Sequence, residues 1–151
     1  EVYTPSDIGL VAHDLSNVIG SNGRESGWSA LTMNTKKGTR IIIHNDSHSP
    51  ARQQSNLMHE LAHIICDHKQ SATYDGMIIP MSMREFNIGQ EEEANTLGAA
   101  LMISRDGLLW ALKKQWSHSE VADYYNASSE MVQFRINSTG VLKQLKYLRT
   151  L

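Results

Sequence analysis

The chain has 151 residues, which suits one compact domain with a small appendage, and 40% of them are hydrophobic against 20% charged. Lys and Arg total 14 against 16 Asp and Glu, a formal net charge of -2 that argues against a dedicated nucleic-acid binder. The single cysteine, Cys66, excludes an internal disulfide, and no apolar run approaches the ~20 residues of a membrane span, so the composition reads as that of a protein of the reducing cytoplasm.

Thr4-Pro5 marks a helix start, and Ile8, Val11, Leu15, Val18 and Ile19 follow at helical spacing until Gly20. Residues 20–27 are rich in Gly, Ser and Asn and read as a loop. Residues 28–33 and 39–44 read as two strands joined by a polar stretch. Ser49-Pro50 repeats the start signal for a long helix ending near His68. Residues 69–89 lack periodicity and contain Gly76, Pro80 and Gly89, so they read as a long irregular loop with one short strand at Met77-Ile78-Ile79. A second long helix is expected from Glu91 to Ile103. A third follows, capped by Ser104, and shorter ones cover 117–125, 128–137 and 139–148. This order predicts an α+β fold, mostly α, with a small β-sheet. The expected division is 1–115 for the main domain and 116–151 for a C-terminal helical subdomain packed on it.

The chemistry is concentrated in His59-Glu60-Leu61-Ala62-His63. Two imidazoles four residues apart share a helix face, so both can reach one zinc ion at about 2.0–2.1 Å. Glu60 lies about 100° further round the helix, out of line as a ligand but placed to take a proton from a water that the ion activates. Composition alone predicts roughly 0.02 accidental matches to this pattern, so chance is a poor account of it. Leu57, Leu61, Ile64 and Ile65 are expected to pack on the core while the histidines line a cleft. Catalytic zinc usually keeps three protein ligands and one open position. Position 69 is Lys, so no third histidine follows six residues after His63. The best third ligand is Glu91, with Asn95 one turn later as a partner for a ligating histidine. Gly98 would then allow a close helix approach, with Leu97 and Leu101 as the packing stripe. Glu92 and Glu93 are read as complements to the helix dipole.

These stretches together resemble the ImmA/IrrE family of zinc metallopeptidases. The resemblance rests on Ile41-Ile42-Ile43-His44-Asn45, on Arg52-Gln53 leading into the segment Met58 to Ile65, and on Glu91-x-x-Ala94-Asn95-x-x-Gly98-Ala99-Ala100-Leu101-Met102, and it reaches the segment 117–135. It implies a minimal zincin-like fold with a glutamate as third ligand. It further implies a cytoplasmic regulator that relieves repression by cleaving a helix-turn-helix repressor. Ile103-Ser104 stand where the family usually has a proline, and Gly98 where a phenylalanine is common.

Other residues have plainer readings. Cys66 reads as a small buried hydrophobe rather than an alternative zinc ligand. His68, at a helix end, reads as structural or solvent-facing. His44, His48 and His118 read as hydrogen-bonding residues, although His118 or Tyr74 is a candidate to stabilise an oxyanion. Residues 77–83 are expected to offer an edge to an extended substrate chain. Residues 117–138 resemble a helix-turn-helix, with Val121 and Ala122 in one helix and Met131, Val132 and Arg135 in the next. Arg135 is its only basic group in the second helix, so direct nucleic-acid binding is not expected and a protein substrate is. The alternative is a DNA-binding or protein-docking regulator whose zinc site is not catalytic.

Overall fold

The computed structural model describes residues 1–9, 29–35, 37–68 and 87–148. In chain order these form β1 (Val2–Tyr3), a 3-10 turn (Ser6–Ile8), β2 (Ala30–Asn34), β3 (Arg40–His44), α1 (Pro50–Ile65), α2 (Ile88–Met102), α3 (Arg105–Lys113), α4 (His118–Tyr125), α5 (Ser129–Thr139) and α6 (Val141–Leu148). The fold is α+β and mostly α. Of the helix expected after Pro5, the described part is the turn Ser6–Ile8, closed by Gly9 at φ +76°. The rest of that helix, the loop 20–27 and the segment 69–86 with its short strand lie outside the described residues.

The sheet has the order β1-β3-β2. β1 runs parallel to β3, with Val2 opposite Ile42 and Tyr3 opposite Ile43. Two residues are too few to show a period, so this strand leaves no trace in the sequence pattern. β2 runs antiparallel to β3, with Thr32 opposite Ile42 and Leu31 opposite Ile43. Ile42 and Ile43 point to opposite faces, yet both are buried, as in a strand covered on both sides. Helix α1 packs on β2 and β3 and, on another side, against α2.

The two long helices meet through small residues rather than through the leucines. On α1 the fully buried residue is Ala62, whereas Ile65, expected in the packing stripe, is 55% exposed. On α2 the buried residues are Ala94, Gly98, Ala99 and Met102, and Leu101 is turned outward. A Cβ added at Gly98 would stand 3.1 Å from His59 Cα, His59 N and Met58 C, so the backbones are nearly in contact there. Such an approach admits only small residues at the point of contact.

A core of Met102, Ile103, Leu108, Val121, Val132 and Val141 ties α2 to the four helices that follow. The first three turns between them are each fixed by a serine: Ser104 accepts from Gly107 N, Ser117 forms a reciprocal capping box with Glu120, and Ser128 accepts from Met131 N; the fourth turns at Gly140, φ +65°. Arg135 is buried, and its Nε donates to Ile103 O at 2.9 Å, satisfying a carbonyl just past the end of α2. No helix among the described residues is long and apolar enough to cross a membrane.

Candidate metal centre and active site

Helix α1 starts at Pro50, whose missing N–H costs nothing at the first helical position, and runs without interruption through His59, Glu60 and His63. Helix α2 starts one turn earlier than its sequence suggests, because Asn87 caps it by accepting from Gln90 N. Glu91 therefore sits in the first turn, and the contact at Gly98 holds that turn beside the two histidines.

The structure brings His59, His63 and Glu91 together. His59 Nε2 and His63 Nε2 are 3.0 Å apart. Glu91 Oε2 is 3.2 Å from His59 Nε2, and Glu91 Oε1 is 3.5 Å from His63 Nε2. The side chains are partly exposed, 27% for His59, 16% for His63 and 32% for Glu91, so the group opens to solvent. His59 Nδ1 faces Asn95 Oδ1 at 3.0 Å. That oxygen only accepts, so Nδ1 carries the proton and Nε2 of the neutral ring presents a lone pair.

These positions suit a divalent ion. Around a tetrahedral zinc with bonds of about 2.0–2.1 Å, neighbouring donor atoms lie about 3.3 Å apart. The observed separations of 3.0, 3.2 and 3.5 Å bracket that value. Two imidazoles and a carboxylate also make the donor set of catalytic zinc, whereas structural sites favour thiolates and four protein ligands. Burial, and next the neighbouring His59, hold the His63 imidazole below its ordinary value of 6.5, partly offset by Glu91. Both causes favour the neutral ring that a metal needs.

Glu60 points from the same helix toward the sheet, where Thr32 Oγ1 donates to its Oε2 at 2.5 Å. Thr32 is buried on β2, so this bond fixes the carboxylate from the sheet side. The sequence gives no hint of it, because a bond between a strand and a helix has no period. A second contact was also unforeseen. His68, read from the sequence as structural or solvent-facing, lies with Nδ1 2.8 Å from His63 Nδ1 and Nε2 3.0 Å from Glu93 Oε2. The available signal was a third histidine five residues after His63. Of the remaining histidines, His48 is buried, with Asn45 Nδ2 and Asn56 Nδ2 each 3.4 Å from a ring nitrogen, and His118 is exposed at the start of α4. Tyr74 lies outside the described residues.

A family model described as the IrrE N-terminal-like domain, a peptidase family, matches residues 20–137. The chain belongs to that family. The chain thus carries a metallopeptidase-type domain over most of its length, including α1, α2 and the serine-capped helices into α5. No curated protein and no solved structure matches it.

Proposed function

We propose that this protein is a zinc-dependent endopeptidase of the cytoplasm that cleaves a specific regulatory protein, with a helix-turn-helix repressor as the substrate class. The observation that carries the hydrolytic part is the convergence of His59 Nε2, His63 Nε2 and a Glu91 carboxylate, separated by 3.0–3.5 Å, beside a carboxylate held in place by Thr32. Three protein donors leave a position for water, the pattern of catalytic zinc. The choice of a repressor rests on the family resemblance, and that of the cytoplasm on the lone cysteine.

His59, His63 and Glu91 would hold the ion. When bound, zinc supplies a Lewis acid that makes water a nucleophile near neutral pH and polarises the scissile carbonyl. Glu60 accepts a proton from the water as its oxygen bonds to the carbonyl carbon. The same carboxyl then delivers that proton to the nitrogen as the C–N bond breaks, leaving a carboxylic acid and an amine. Thr32 occupies Oε2, which leaves Oε1 as the oxygen that receives the proton. Asn95 keeps the His59 proton on Nδ1, away from the ion.

The buried Arg135 supports a protein partner over DNA, because the one basic side chain of the presumed reading helix is turned inward to Ile103 O. The test is incubation of the zinc-loaded protein with repressors encoded beside it, comparing wild type with Glu60→Gln. The variant should keep one zinc per chain and lose about 10²–10⁴-fold in cleavage rate. Equal cleavage by both proteins would remove Glu60 from the role of base.

A further inference from the structure

Helix α1 ends in a tight reversal. Asp67 N donates to Ile64 O (3.2 Å) and His68 N to His63 O (3.0 Å), with Asp67 at φ +51°. These are the paired bonds of a left-handed helix stop, which folds the second residue past the cap back over the residue one turn earlier. Two apolar side chains commonly meet at that place. Here two imidazoles meet, with ring centroids 5.0 Å apart and planes at 70°. Arg40 on β3 holds the turn, donating through Nη1 to Ile64 O and pairing through Nη2 with the Asp67 carboxylate.

We propose that His68 and Glu93 are positioning residues that fix the tautomer and ring plane of His63, so that its Nε2 is presented as a lone pair to the ion; this rests on the metal-binding reading above. The direction of each bond follows from the acceptor at the far end. An ionised Glu93 can only accept, so His68 Nε2, 3.0 Å away, carries the proton. The neutral His68 ring then accepts at Nδ1, and His63 Nδ1, 2.8 Å away, is the donor. His63 Nε2 is left without a proton on the side where His59 Nε2 and Glu91 converge. The His68 side chain is only 7% exposed, so water offers its ring little alternative partnership. His59 reaches the same state in one step through Asn95.

Cys66, His68 and Glu93 also form a donor group of their own, their ligating atoms within 4.8 Å of one another. The two uses of His68 exclude each other. An ion on His68 Nε2 would move the ring proton to Nδ1, make His63 Nδ1 the acceptor and put a proton on His63 Nε2, where the first ion belongs. The existing bond from His68 Nε2 to Glu93 favours the relay.

The experiment measures zinc affinity at equilibrium, by competition with a chromogenic chelator, and zinc stoichiometry in the same samples. The proteins compared are wild type, His68→Phe, His68→Gln, Glu93→Leu and Cys66→Ser. His68→Phe and Glu93→Leu should bind zinc about 10- to 100-fold more weakly. His68→Gln, whose amide oxygen can accept from His63 Nδ1, should recover most of that loss, which a merely space-filling role would not produce. Cys66→Ser should match wild type at one zinc per chain. Glu93 lies on the exposed side of α2, so Glu93→Leu keeps the test in force should the phenylalanine variant fail to fold. Wild-type affinity in both His68→Phe and Glu93→Leu, or two zinc ions in wild type falling to one in Cys66→Ser, would overturn the relay while leaving the metal centre intact. A wild-type protein that binds no zinc would overturn the metal centre and the relay together.

Discussion

Thr32 and Glu60 stand 28 residues apart and meet in a single bond of 2.5 Å. A hydrogen bond to an ionised group contributes about 1.5–3 kcal/mol, and here that energy goes into orientation of the carboxylate proposed as the base. Thr32→Val keeps the shape of the buried side chain and removes the donor. The expected result is a fall in kcat of about 10-fold, with KM and zinc content unchanged, since about 1.4 kcal/mol of lost orientation corresponds to that factor. Steady-state kinetics on a cleavable substrate check this, and an unchanged kcat would mean that Glu60 needs no such restraint. At this scale the sequence was informative where the chemistry has a spacing. His59, Glu60 and His63 are read from one helical turn, and Glu91 and Asn95 from another. The contacts of Thr32, His68 and Glu93 were not legible, because their partners are set by how the sheet and two helices dock and by the turn at Asp67, although a third histidine near the motif marked His68 itself.

Among the elements, the seam between α1 and α2 decides the geometry of the site, since it joins the histidines to Glu91. Gly98 is the point of closest approach, and the atoms a Cβ would meet, His59 Cα, His59 N and Met58 C, belong to backbone that cannot rotate aside. In an exposed helix Gly→Ala would stabilise by about 1 kcal/mol. Here Gly98→Ala should instead destabilise by about 1–3 kcal/mol and weaken zinc binding, because α2 must move outward and carry Glu91 with it. Thermal unfolding of the metal-free protein and a zinc titration test both parts, and a variant of higher Tm with unchanged affinity would refute the account. The sequence pointed to Gly98 for its place on the Glu91 face but put Leu101, which is 41% exposed, in the packing stripe. Periodicity reports apolar faces, and it cannot tell which of two faces a neighbour approaches when the contact is made by alanine and glycine. The start of α2 was likewise set by Asn87, a cap outside the periodic stretch.

Over the whole molecule, the face with the candidate metal ligands and the C-terminal helices share a foundation. Met102 at the end of α2 and Met58 on α1 both pack against the core that holds Leu108, Val121 and Val132. Leu108 is fully buried, so Leu108→Ala should lower stability by about 2–5 kcal/mol and Tm by on the order of 10 °C. Cleavage per folded molecule at low temperature should be unchanged, because Leu108 lies in the helical core and is no member of the donor group. Calorimetry beside an activity assay at two temperatures separates these effects, and a loss of activity without a loss of stability would contradict them. The architecture was legible as α+β and mostly helical from the alternation of strand and helix patterns. What escaped was β1, which is two residues long and defined only by its partner β3.

Asp67 shows how far the working parts of such a site extend beyond the residues that a motif names. It is no ligand and has 81% of its side chain in solvent, yet its left-handed backbone is what turns His68 over His63. Glycine, asparagine or aspartate suits that conformation, and a β-branched residue does not. Drift at this outwardly ordinary surface position would detune the ion's grip while leaving every hallmark residue in place, so relatives sorted by the five-residue pattern alone would be miscounted as equally active.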